Sequence, residues 1–134
     1  MPALRPAARL LYAAGGFGAS VLQQTVLLWM FFFYAPPPGQ PLVTRVTPAV
    51  VGLAMAAGRI VDAVADPLVA HWSDGLRTPW GRRRPFILVA SPLLAICFVL
   101  LWRPPIDGPS SANALYLTVI LGLFFFLYTM VLNP

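Results

Sequence analysis

Four apolar runs, each close to the length of a bilayer-spanning helix, constrain this chain more than any other feature. They cover residues 10–34, 48–72, 86–102 and 114–134, and a span requires about 20 residues. The intervening stretches break helices: Pro36, Pro37, Pro38, Gly39 and Pro41 in the first, then residues 73–85 and 103–113, rich in Pro, Gly and Ser. Inside lipid no water can pair a backbone amide, so runs of this kind must be helical. The expected fold class is therefore an all-α integral membrane protein with four transmembrane helices, and its first partner is the lipid bilayer.

Composition removes the competing classes. The chain is 59% hydrophobic and only 10% charged, against about 45–50% and about 25% in ordinary soluble domains. No segment is polar and charged enough to be a solvated disordered tail. The net charge of +5 comes from nine basic residues, all arginine, and four acidic ones, all aspartate. No basic stripe with interleaved aromatics lies outside the apolar runs, so no nucleic-acid partner is expected. A single cysteine, Cys97, excludes an internal disulfide and a cysteine zinc site.

Arg5 and Arg9 precede the first run as they would in a signal peptide. That run is far longer than the about 7–15 apolar residues of such a leader, so it reads as a retained span. With the N-terminus inside, Arg5, Arg9, Arg77, Arg82, Arg83 and Arg84 face the cytoplasm, and Arg45 and Arg103 face outward. The positive-inside rule therefore favours two cytoplasmic termini, and the expected location is the plasma (inner) membrane. The last run stops at Pro134 without a flanking charge, which suggests the N-terminal piece of a longer protein.

The second run alone carries charge well inside it. In Gly58-Arg-Ile-Val-Asp-Ala-Val-Ala-Asp-Pro67, Asp62 and Asp66 fall about 40° apart on one helix face, with Arg59 within about 60° of both. Each ionised group at mid-membrane costs about 2.5–3.5 kcal/mol on the insertion scale, so such groups turn inward, pair or face a watery cavity. Arg59 neutralises one aspartate and leaves the other. Two carboxylates suit a hard cation such as sodium, or a proton. An internal ion triad that only locks helices is the competing reading. Pro67 removes one helical hydrogen bond and can free the carbonyl of Ala63. The next segment, from Asp74 through Arg77 to Arg82, Arg83 and Arg84, reads by composition as an anchor for anionic lipid. Asp74 can also pair with Arg77 or with an arginine across the turn.

These two motifs, Gly58-Arg59-x-x-Asp62-Ala-x-x-Asp66-Pro67 and Asp74-x-x-Arg77-x-x-x-Gly81-Arg-Arg-Arg-Pro85-Phe-Ile, stand in order after a first span that opens Tyr12-x-x-Gly-Gly-Phe17-Gly18. Together they resemble the major facilitator superfamily, and within it the glycoside–pentoside–hexuronide:cation symporters, the group of melibiose permease and the plant sucrose carriers. The resemblance implies that this chain is the first part of a major-facilitator-type bundle, with the remaining transporter helices as partners. It implies that Asp62 and Asp66 hold sodium or a proton, that Thr129 adds a hydroxyl ligand and that Arg59 tunes their charge. Asp74, Arg77, Gly81, Arg82, Arg83 and Arg84 would form a cytoplasmic gate. The implied activity is cation-coupled transport of a small polar solute, a sugar or glycoside, by alternating access, with no cofactor beyond the coupling ion. Two positions depart from the sugar-binding pattern: Ser20 and Leu132 stand where the permease has aspartates. Ser20, Gln23, Gln24 and Tyr128 offer hydrogen bonds to a solute, or equally between helices.

Other residues read as structural. His71, beside Trp72, sits at an interface, and Cys97 behaves as a small hydrophobe. Phe31–Tyr34 and Phe124–Phe126 are packing or lipid-facing aromatics, and Pro92 kinks the third span. An inert or non-transporting membrane module is the alternative function. A membrane CDP-alcohol phosphotransferase would share Gly58, Asp62 and Asp66, but residues 43–57 contain no acid to complete a two-metal site. A small multidrug-resistance dimer would need a glutamate, and the chain has none.

Overall fold

The structure, a computed structural model, describes residues 6–75, 79 and 84–132. Among these, four helices account for all regular secondary structure: α1 (Pro6–Tyr34), α2 (Pro48–Gly75), α3 (Arg84–Leu101) and α4 (Ser111–Leu132). Each contains a stretch long and apolar enough to cross a membrane, and for α1 it runs Ala13–Tyr34. Each helix extends two to four residues past its apolar run at one end. Helix α2 continues through Pro67 and takes in Ser73, Asp74 and Gly75, and α3 likewise continues through Pro92.

Short connections set the ends. Pro48 opens α2 at a position that needs no amide donor, and the Thr47 carbonyl accepts from Val50 N (3.0 Å) and Val51 N (3.2 Å). Ser110 caps α4 by accepting from Ala112 N at 3.1 Å through Oγ. The C-terminus of α1 is closed by the loop folding back, with Arg45 N (2.8 Å) and Val46 N (3.2 Å) donating to the Tyr34 carbonyl. The Arg45 guanidinium donates to Phe33 O at 2.8 Å and lies 4.2 Å from the Phe33 ring centre. A cation here meets the negative end of the helix.

Helix α4 is the hub. Leu117, Leu121, Phe124, Phe125, Tyr128 and Thr129 are buried at helical spacing and pack chiefly on α2 and α3. On α2 the facing stripe is Val51, Ala54, Gly58, Ala65, Val69 and Ser73. Small residues at such spacing let membrane helices approach closely, where apolar transfer gives no drive and packing must supply it. Asp62 falls on that same stripe, between Gly58 and Ala65. Tyr34, fully buried, donates to Leu101 O at 2.7 Å, and Tyr116 donates to Leu100 O at 2.8 Å, pinning α1 and α4 to the end of α3.

The α3–α4 connection is organised by a residue with no such role in the sequence reading. Asn113, fully buried, accepts from Ile106 N (3.3 Å) and donates to Ile106 O (2.8 Å) and Gly108 O (2.9 Å). Gly108, at φ 127°, makes the turn that presents its carbonyl. Asn113→Ala strands these loop groups and is expected to cost about 1–3 kcal/mol. Thermal unfolding in detergent, against Ala112→Ser as a surface control, measures it.

Candidate functional site

The charged stripe of α2 meets α4 through one short contact. Thr129 Oγ1 donates to Asp62 Oδ1 at 2.6 Å, joining the middle of α2 to the last described turn of α4. Thr129 is buried (1% exposed), and its hydroxyl donates to this carboxylate rather than back along its own helix as those of Ser20, Thr25 and Thr118 do. The other oxygen of Asp62, Oδ2, accepts from Arg59 Nη1 at 3.3 Å. The Arg59 guanidinium also lies 5.1 Å from the centre of the Phe125 ring. Asp62 is thus approached by a hydroxyl from α4 and a guanidinium from its own helix.

The remaining expected residues are placed as follows. Asp66 lies one turn beyond Asp62 on α2 and is exposed in the four-helix unit. Tyr128 donates to Gln23 Oε1 at 3.0 Å, bridging α4 to α1. Ser20 donates to Gly16 O of its own helix at 2.9 Å, and Gln24 is exposed. Asp74 is exposed on the last turn of α2, and Arg84, also exposed, opens α3. Arg77, Gly81, Arg82 and Arg83 lie outside the described residues. Leu132 is 38% exposed at the end of α4. His71 is exposed and Cys97 buried.

The structure therefore joins Asp62, Arg59 and Thr129, and separately Tyr128 and Gln23. Chemically, the first group offers hard oxygen donors beside a fixed positive charge. Among the described residues no cluster of three or more His, Cys, Asp or Glu side chains could hold a metal.

A family model for MFS/sugar transport proteins matches residues 11–134, nearly the whole chain and both halves of this site. The chain belongs to that family. It is accordingly a multi-pass integral membrane protein. An uncharacterized symporter of Synechocystis is 31% identical over 97 residues, 72% of this chain and 17% of that protein. A sodium-dependent lysophosphatidylcholine symporter of Danio rerio is 35% identical over 66 residues, 47% of this chain and 12% of its own length. A sucrose transport protein of Arabidopsis thaliana is 43% identical over 44 residues, 33% of this chain and 7% of its own. The aligned part thus spans less than a fifth of each relative. No solved structure matches the chain.

Proposed function

We propose that this member of the MFS/sugar transport family contributes the cation-binding residues of a symporter that carries a small polar solute, sugar-like in class, by alternating access. The observation that carries this reading is the 2.6 Å contact between Asp62 and Thr129 across α2 and α4. A proton needs only the carboxylate. A sodium ion uses a second neutral oxygen, which favours sodium as the coupling ion here. On binding, the Thr129 hydroxyl would turn its proton away from Asp62 and present a lone pair. The ion would then cancel the carboxylate charge and permit the two halves of the carrier to rock about the site.

Asp66 stands close enough in sequence to join as a second carboxylate, with Arg59 setting the local charge. Tyr128 and Gln23 would offer polar contacts to the solute at the α1–α4 seam. The arginines beyond Asp74 would face the cytoplasm and form the gate, with both ends of the four-helix unit inside and the plasma membrane as its place. The family name and the symporter, sodium and sucrose designations of the relatives support transport, the ion and the solute class in that order.

The test is radioactive sodium binding to the full-length gene product in nanodiscs, followed by sodium-gradient uptake of sucrose and lysophosphatidylcholine in proteoliposomes. Thr129→Ala is expected to weaken sodium binding by about tenfold or more, in the range seen when a supporting contact at a metal site is removed. Thr129→Ser keeps the hydroxyl and is expected to bind nearly as the wild type. Equal loss in both variants contradicts the hydroxyl's role as a ligand.

A further inference from the structure

Gly58 differs from the other glycines of the helices. A Cβ built at Gly15, Gly16, Gly18 or Gly75 meets nothing within 4 Å, whereas at Gly58 it falls 2.5 Å from Phe125 Cδ2, 2.8 Å from Cε2 and 3.6 Å from Leu121 Cγ. Retreat of the ring is opposed on the side of Phe124. Phe125 is fully buried, its centre lies 5.7 Å from the edge-on ring of Phe124, and Arg59 sits over it. One turn further along each helix, four residues on, stand Asp62 and Thr129. Helices α2 and α4 run in the same direction through the bundle, so the two contacts form successive rungs of one helix pair.

We infer that Gly58 is a positioning residue for the cation site, setting the α2–α4 separation at which Asp62 and Thr129 meet. The inference rests on the reading of that pair as cation ligands. Apolar atoms settle at about 3.5–4.0 Å, so an alanine methyl at Gly58 drives the helices apart locally by about 1 Å. At the rung that carries the 2.6 Å contact, a displacement of that size exceeds the about 0.5 Å within which a binding constellation must hold its ligands. The same push moves the ring over which Arg59 lies, and so disturbs the Arg59–Asp62 pair.

The experiment compares sodium binding by the full-length gene product in nanodiscs for wild type, Gly58→Ala, the double variant Gly58→Ala/Phe125→Leu, and Asp62→Asn. Yield and thermal stability are recorded alongside. Gly58→Ala is expected to raise half-saturating sodium by about tenfold, equivalent to about 1.4 kcal/mol, in protein that is still folded. Phe125→Leu removes the ring edge that the methyl strikes, so the double variant is expected to recover most of that affinity. A Gly58→Ala protein that loses stability but binds sodium as the wild type overturns the inference, because a merely structural glycine behaves so. If Gly58→Ala does not accumulate, the double variant decides: near-wild-type binding supports the inference, and a persisting tenfold loss overturns it. Asp62→Asn separates the two levels. Sodium binding unchanged in Asp62→Asn overturns the site itself, whereas binding lost there and intact in Gly58→Ala overturns only the role of the glycine.

Discussion

Asp62→Asn is expected to abolish sodium-driven uptake while leaving the protein folded. The amide keeps the shape of the carboxylate and can still accept from Thr129 Oγ1, 2.6 Å away, so the α2–α4 rung survives. What disappears is the charge. A carboxylate and a cation about 4 Å apart attract by about 4 kcal/mol at the effective dielectric of a partly wet protein site. Even a third of that is about tenfold in affinity, and the whole is nearly a thousandfold. The checking measurement is uptake into proteoliposomes with and without an inward sodium gradient. The variant should show the same slow rate in both, with downhill exchange of solute spared. Gradient-driven accumulation at the wild-type level would show that Asp62 does not carry the ion.

Phe124→Ala is expected to give the largest loss of stability, about 3 kcal/mol, at the lower end of the range for aromatic truncations in cores. Phe124 is fully buried, and its ring centre lies 6.5 Å from that of Phe98, 5.7 Å from Phe125 and 6.1 Å from Tyr128. It joins α3 to α4. In a bilayer the lost water-to-core transfer is small, because lipid is itself apolar. The cavity and the lost ring contacts remain, and close packing is what holds membrane helices together. Thermal unfolding in detergent should show a lower midpoint for Phe124→Ala. Leu123→Ala, whose side chain is 43% exposed, should be close to the wild type.

The fold class was legible because apolar length and helix breakers are local properties. Four runs separated by Pro and Gly clusters leave few alternatives once lipid is the solvent. The charge cluster of α2 was legible as a cost that needs an explanation. Its partner was not legible from the residues. A threonine in the fourth run has no feature that marks it as facing Asp62, and only the resemblance to cation symporters pointed to Thr129. The same holds for Tyr128, which pairs with Gln23 and not with its neighbour Gln24, a choice made by the rotation of α1 against α4. Gly58 belonged to a recognisable motif, yet its close approach to Phe125 depends on two helices far apart in sequence. Asn113 carries no mark of its role, because an asparagine at the head of an apolar run looks like an ordinary helix start. Arg45 counted only as an outward-facing charge, and its hold on the end of α1 appears only when the loop folds back.

The most direct test of the account is a double-mutant cycle on sodium binding, with Asp62→Asn and Thr129→Ala made singly and together in the full-length gene product. Residues that hold one ion act as a unit, and their effects do not add. Each single variant is expected to weaken binding, and the pair is expected to bind no more weakly than Asp62→Asn alone. Two losses that simply add, or sodium binding that neither substitution changes, would contradict this.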